Sequence, residues 1–180
     1  MPELIRSFVA VKMSGKAADE LENFLAEVRP LSKIRWARRS QFHITLKFLG
    51  ENTHEVTEEV IDALIPLKHF EPFTVELSYI GAFPNLNTPK ILWLSGDKGA
   101  DELAKLSKKI NDVLFDNVGL ERERKKFKAH LTLARLKESF LPENLLRKLG
   151  SVPKISWTCN ELVLMKSNLE PSGAVYSEIM

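Results

Sequence analysis

One cysteine in 180 residues, Cys159, leaves the chain without an internal disulfide framework, which suits a reducing compartment and makes the thiol a small core side chain. No apolar run is long enough to cross a bilayer, and the N-terminal stretch offers only Phe8 to Val11, far short of a secretory h-region. A soluble cytoplasmic protein is expected. Glycine is scarce at eight, and none of it falls in a Gly-x-Gly-x-x-Gly or Walker pattern; Gly96-Asp-Lys-Gly99 reads as a turn between a strand and a helix. Gly-x-Ser-x-Gly is missing, which removes a serine hydrolase of the nucleophile-elbow type. Of four histidines, His54 and His69 have no acidic or cysteine partner at zinc spacing, so no metal and no other cofactor is expected. No Pro-, Gly- or Ser-rich linker divides the chain, and 44% hydrophobic residues suffice for one core, so residues 1–180 are read as a single domain.

What the sequence has is a repeated strand. Gln41-Phe-His-Ile-Thr-Leu-Lys-Phe-Leu-Gly50 and Lys128-Ala-His-Leu-Thr-Leu-Ala-Arg-Leu136 both contain His-x-Thr-Leu. In the first, Phe42, Ile44, Leu46 and Phe48 alternate with Gln41, His43, Thr45 and Lys47, the period-2 pattern of a strand with one buried face. In the second, Phe127, Ala129, Leu131 and Leu133 take the buried parity, and Lys126, Lys128, His130 and Thr132 the other. Each strand thus offers an imidazole and a hydroxyl on one side. With four histidines and seven threonines in the chain, chance is a poor account of two such pairs in matched surroundings.

Net charge is only +2, too small by itself to imply nucleic acid, but its distribution is uneven. Lys33, Arg35, Arg38 and Arg39 precede His43, and Arg122, Arg124, Lys125, Lys126 and Lys128 precede His130. Either the two runs are solvated surface or they edge an anion-attracting groove.

Taken in order, Arg6 to Lys12 is a predicted strand. Ser14 caps a helix with Ala18, Leu21, Leu25 and Val28 as its stripe, and Pro30 ends it. The first motif strand closes at Gly50, and a second helix runs from its Thr53 cap along Val56, Val60 and Leu64 to Pro66. Strand material from Phe73 to Ile80 and a loop from Pro84 to Pro89 lead to a second round. That round has a strand at Ile91 to Leu94, a helix from Asp101 to Phe115 with Leu103, Leu106, Ile110 and Val113 inward, and then the second motif. A short helix at Glu143 to Leu149, strands from Ile155 to Lys166, a turn at Glu170 to Gly173 and a last strand complete the chain. Val9 precedes His43 by 34 residues and Leu92 precedes His130 by 38, so the order strand, helix, motif strand, helix, strand occurs twice at similar spacing. The expected fold is α+β: a bilobal, pseudo-symmetric duplication with two antiparallel sheets flanking a central cleft and helices packed outside.

Residues i and i+2 of a strand face one side, about 6.5 to 7 Å apart, so both can touch one phosphate. Two imidazoles with ordinary pKa values near 6.5 allow one neutral base and one protonated acid, and the hydroxyls of Thr45 and Thr132 can donate to nonbridging oxygens. Arg135 lies on the buried parity but near its strand's end, where a long guanidinium can turn toward a phosphate or form a rim salt bridge. Lys47 and Lys128 sit one pleat from their motifs, as phosphate-neutralising groups or as plain surface lysines. Phe8, Phe83, Trp93 and Tyr176 are candidate walls for a base, although burial in a core is the commoner fate of such side chains.

The doubled His-x-Thr motif resembles that of the 2H phosphoesterase superfamily. Arg6-Ser-Phe-Val-Ala, Pro89-Lys-Ile-Leu-Trp-Leu, Arg135 and the tail from Ser167 to Tyr176 are similar to its RNA 2',3'-cyclic phosphodiesterase (2'-5' RNA ligase-like) branch. The resemblance implies hydrolysis of RNA 2',3'-cyclic phosphate ends to 2'-phosphomonoesters, with His43 as proton donor, His130 as proton acceptor, and Thr45, Thr132 and Arg135 binding substrate. It also implies 2'-5' ligation as the reverse reaction, and RNA ends, tRNA fragments among them, as partners. A strained cyclic phosphate needs no nucleophile beyond water and hence no metal. Lys126 and Lys128 are expected to depress the His130 pKa, as a base requires. Hydrolysis of another cyclic or 2'-5' linked oligonucleotide is one alternative, and a catalytically silent nucleotide- or RNA-binding module is another. The second would leave two titratable groups without a task. A monomer without membrane association is expected.

Overall fold

The structure, a computed structural model, describes residues 3–180. Ten strands and four α-helices are found among the described residues: β1 (Ile5–Lys12), α1 (Gly15–Val28), β2 (Arg35–Trp36), β3 (His43–Asn52), α2 (His54–Leu64), β4 (His69–Leu77), β5 (Tyr79–Phe83), β6 (Ile91–Ser95), α3 (Ala100–Val118), β7 (Leu131–Arg135), α4 (Glu143–Leu149), β8 (Ile155–Glu161), β9 (Val163–Glu170) and β10 (Gly173–Glu178). Eight strands form one sheet in the order β10-β9-β1-β3-β7-β6-β5, with β2 also paired to β7, and β4 and β8 form a separate antiparallel pair. The α+β class with two antiparallel sheets is as the sequence predicts.

The order reflects the duplication. Each motif strand pairs antiparallel with the strand before its half's first helix, β3 with β1 and β7 with β6. Each half then sends its last strand to the other: β5 joins β6, and β9 joins β1. The halves meet where β3 touches β7 at the single backbone pair Ile44–Leu131. Beyond it β7 turns to β2, which takes the pairs Arg35–Arg135 and Trp36–Ala134. The two motif strands are therefore neighbours within the larger sheet, which sets their side chains closer than opposition from separate sheets would.

Helices cover one face of this sheet. α1 buries Ala17, Ala18, Leu21, Phe24, Leu25 and Val28, the stripe expected, although the Ser14 side chain makes no capping bond. Thr53 does cap α2, its Oγ1 accepting from Val56 N at 3.3 Å. In α3 the inward face is rotated from the expected one: Ser107 and Asn111 are buried with Leu103, Ile110 and Leu114, while Leu106 and Val113 lie half-buried. Both polar side chains are satisfied there by hydrogen bonds to β3. Burying on the order of thirty apolar side chains at about 1.5–3 kcal/mol each is the main force holding this layer to the sheet, before conformational entropy is set against it. The opposite face carries only a small cluster, Phe8, Ala10, Val163 and Met165 with Tyr176 against it. Both motifs lie on that side.

Candidate active site

Continuing the antiparallel register of Ile44–Leu131 by one residue in each direction sets His43 opposite Thr132 and Thr45 opposite His130. The four residues form a square with pseudo-twofold symmetry, histidines on one diagonal and threonines on the other. Ile44 and Leu131, the pair at its centre, are fully buried on the helical side, so strand alternation sends both flanking residues to the other face. His43, Thr45, His130 and Thr132 are all half-buried, accessible to a ligand yet largely removed from water.

The histidines are held alike. His43 Nδ1 lies 2.7 Å from the carbonyl oxygen of Gln41, and His130 Nδ1 lies 2.7 Å from that of Lys128. A carbonyl can only accept, so Nδ1 carries the proton in both rings and Nε2 is left to face the square. Gln41 is itself fixed, its Nε2 donating to Ala174 O at 2.9 Å on β10. Phe8 stacks on His43 with centroids 4.8 Å apart, and Tyr176 meets the same imidazole edge-on at 5.3 Å. Phe83 meets His130 edge-on at 5.2 Å. Of the candidate base walls, Phe8 and Trp93 are buried, and Phe83 and Tyr176 are partly open beside the imidazoles. Trp93 lies flat over Gly81, where a Cβ would come within 2.3 Å of its ring, and Lys128 Nζ sits 4.3 Å above it.

Both imidazoles have depressed pKa values. Burial pushes His43 down to about 4, the Gln41 carbonyl pulls it up, and the charge of His130 pushes it down further. His130 is lowered chiefly by burial, against the pull of the Lys128 carbonyl; Lys128 and Arg135, not Lys126, are the cations that add to the lowering. The two rings thus act as one electrostatic unit, and both are neutral at pH 7 before an anion binds.

A β-bulge directly after each motif redirects the side chains that follow, and β3 has a further bulge at Leu49. Between β1 and β3 the register passes from Ala10–Thr45 to Val9–Lys47, leaving Leu46 as an extra residue. Between β6 and β7 it passes from Trp93–Thr132 to Leu92–Ala134, leaving Leu133 extra. The bulge falls on the Leu of His-x-Thr-Leu in both halves, and past it the side-chain parity inverts. Two corrections to the alternating pattern result. Phe48, expected inside, is 65% exposed, and Lys47, expected on the open face, is buried at 7% exposure. Lys47 Nζ donates to Asn111 Oδ1 at 2.8 Å and to the Glu121 carbonyl at 2.7 Å, tying α3 to the segment leading into His130; burial lowers its pKa, with Glu123 opposing. It is neither a phosphate ligand nor a surface lysine. In the second half the same inversion brings Arg135 out of the buried parity onto the face of His130 and Thr132, where it is exposed.

No group of three or more His, Cys, Asp or Glu side chains placed to hold a metal ion occurs among the described residues. His54 and His69 are exposed, each with one glutamate nearby at 3.8 and 3.9 Å. Cys159 is buried, its thiol pushed up to about 12 by desolvation. Among the described residues no helix is long and apolar enough to cross a membrane.

The fold and the paired motifs define a 2H phosphoesterase. The model of the 2'-5' RNA ligase superfamily matches residues 17–170. The chain is 32% identical over 177 residues to the RNA 2',3'-cyclic phosphodiesterase of Archaeoglobus fulgidus, covering 97% of this chain and 98% of that protein. It is 35% identical over 141 residues to the RNA 2',3'-cyclic phosphodiesterase of Aeropyrum pernix, covering 77% and 79%. Among solved structures, TT0787 of Thermus thermophilus superposes with a TM-score of 0.76 at 28% identity, covering 97% of this chain and 95% of that one. E. coli LigT complexed with 3'-AMP superposes with a TM-score of 0.78 at 20% identity, covering 99% and 97%. The chain belongs to the 2'-5' RNA ligase superfamily.

Proposed function

We propose that this protein is an RNA 2',3'-cyclic phosphodiesterase that opens cyclic ends to 2'-phosphomonoesters, acting as one bilobal domain with a motif from each half. What supports this reading is the square itself, in which His43, Thr45, His130 and Thr132 flank the Ile44–Leu131 pair and both imidazoles bind a carbonyl through Nδ1, and curated relatives matched over nearly the whole chain are named for this activity. In the reaction, water attacks phosphorus in line with the 3'-oxygen, His130 Nε2 takes the water's proton, and His43 Nε2–H delivers one to the departing 3'-oxygen. The P–O3' bond breaks, leaving a 3'-hydroxyl and a 2'-phosphate. Thr45 and Thr132 donate to the nonbridging oxygens, and the Arg135 guanidinium neutralises charge that grows there. The acid must be protonated, and the phosphate's own negative charge supplies the stabilisation that burial removes from His43. With a 5'-hydroxyl in the place of water as the attacking group, the same residues would join a cyclic end to it as a 2'-5' bond, His130 taking the hydroxyl proton and His43 again protonating the departing 3'-oxygen; water, far more abundant, keeps this the minor course.

The test is incubation of purified protein with an oligonucleotide bearing a 2',3'-cyclic end, resolving 2'- from 3'-phosphate product. The 2'-phosphate is expected, with His43→Ala and His130→Ala each at least about a hundredfold slower while folded. A 3'-phosphate product, or near-wild-type turnover in either variant, refutes the scheme.

A further inference from the structure

Arg35 and Arg135 stand directly opposite each other in the β2–β7 pair. Side chains opposite each other in a sheet share a face, so Arg35 shares the face that Arg135 shares with His130 and Thr132. Like charges in this position repel, and a chain normally separates them or sets a carboxylate between. Here both are exposed, and no carboxylate among the described residues is in salt-bridge contact with either. Both guanidinium groups are therefore available to an anion.

Arg35 is also firmly presented. Its neighbour Trp36 is buried, and Ala37 N donates to the Leu133 carbonyl at 2.6 Å, so the two-residue strand is pinned on both sides. The Arg35 guanidinium runs beside the β9–β10 turn, 3.6 Å from where a Cβ of Gly173 would stand. That hairpin carries Tyr176 to His43. Arg35 therefore lies beside the hairpin that reaches His43, and it lines a pocket of about 500 Å³ together with Glu22, Arg29, Trp36, Arg38 and Arg39. Two of its cations are already used: Arg29 is clamped by Glu22 at 2.6 Å and Arg39 by Asp19 at 2.7 Å. Arg35 and Arg38 are the guanidinium groups left for a ligand.

We propose that Arg35, backed by Arg38, forms a second phosphate subsite beside Arg135 that receives the phosphodiester immediately 5' of the terminal nucleoside of the RNA. The subsite rests on the phosphodiesterase reading and adds to it a basis for preferring a polynucleotide end to a cyclic mononucleotide. A guanidinium fork suits a bridging phosphodiester, whose two nonbridging oxygens it can hold together. The contact carries no base information, and it displaces a counterion, so it makes RNA binding salt-dependent.

The experiment compares a cyclic mononucleotide with a trinucleotide bearing a cyclic end, in wild type, Arg35→Ala, Arg35→Lys and a control, Lys109→Ala, exposed on α3. Binding of the fluorescently labelled trinucleotide 2'-phosphate is measured on the same proteins by anisotropy, since it does not depend on turnover. Arg35→Ala is expected to lower the trinucleotide-over-mononucleotide ratio of kcat/KM about tenfold and to weaken the labelled trinucleotide by a similar factor. The slope of log affinity against log salt should lessen by about 0.7 to 1, with Arg35→Lys intermediate and Lys109→Ala unchanged. An unchanged ratio with unchanged trinucleotide affinity overturns the subsite, as does an equal loss on both substrates. If wild type turns over neither substrate the activity reading fails, and the anisotropy series still decides the subsite.

Discussion

Ser107 Oγ donates to the carbonyl of Leu46 at 2.7 Å. Leu46 is the extra residue of the first bulge, and an extra residue leaves its strand's ladder incomplete, so a helix side chain supplies the missing partner. The second bulge has an equivalent tie, the Leu133 carbonyl accepting from Ala37 N. Ser107→Ala would strand a buried carbonyl beside Thr45, at a cost of about 1–3 kcal/mol. We expect a lower melting temperature and, because Thr45 is set by that bulge, a fall in kcat larger than the change in KM. A variant with wild-type melting and wild-type kcat would show that the bulge holds itself.

Arg135 reaches the site because Leu133 is extra, which makes its role testable through the histidine it faces. Its positive charge lowers the His130 pKa, so removing it raises that pKa. Arg135→Ala should therefore cost about tenfold to a thousandfold in kcat/KM and move the acidic limb of the pH profile to higher pH. Arg135→Lys should restore the limb but only part of the rate, since an ammonium lacks the planar fork. A rate loss with an unmoved limb would place Arg135 away from His130.

These bulges also mark where the sequence stops being legible. Helix stripes such as Leu21, Leu25 and Val28 and the strand parity of Ile44 and Leu131 are local patterns, and each is buried as the periodicity requires. The histidines stand out because the same short motif occurs twice. Alternation could not show that it breaks at Leu46 and Leu133, because a bulge changes no residue type; it depends on the partner strand's register. Hence Phe48 and Lys47 exchange sides. The polar Ser107 and Asn111 likewise look like the outer face of α3 until the carbonyl of Leu46 and the ammonium of Lys47 are placed beneath them. That β3 would lie next to β7, and that β5 and β9 would cross between halves, are long-range pairings with no local signature.

Burial of His43 links stability to pH. Its folded pKa of about 4 is below the unfolded value near 6.5, so between these the unfolded chain binds a proton that the folded chain does not. The stability is fully present above about pH 6.5 and is lost progressively as pH falls toward 4, by up to about 3 kcal/mol. His130, also lowered, adds in the same direction. His43→Asn, which cannot titrate, should flatten the decline of the urea midpoint between pH 7 and 4.5. Equal slopes for variant and wild type would mean that other groups carry the acid sensitivity.

The division of labour between the histidines is the point on which the near-twofold symmetry is least help, since both rings bind a carbonyl through Nδ1 and present Nε2. Their surroundings differ. His130 lies near two cations, Lys128 and Arg135, which favour the neutral form that a base needs. No lysine or arginine is among the causes of the His43 shift, which are burial, the Gln41 carbonyl and the charge of His130, so a bound phosphate can restore its proton with less opposition. Titration of one alters the other, and the pH profile of kcat should be bell-shaped with two apparent values that belong to the pair. The roles separate with a substrate whose leaving group is acidic enough to depart without protonation, such as an aryl phosphodiester. There His43→Ala should regain much of its lost rate, because the proton it delivers is no longer needed. His130→Ala should stay slow, because water must still be deprotonated. Recovery in His130→Ala and none in His43→Ala would exchange the two roles while leaving the square of His43, Thr45, His130 and Thr132 as the site of the reaction.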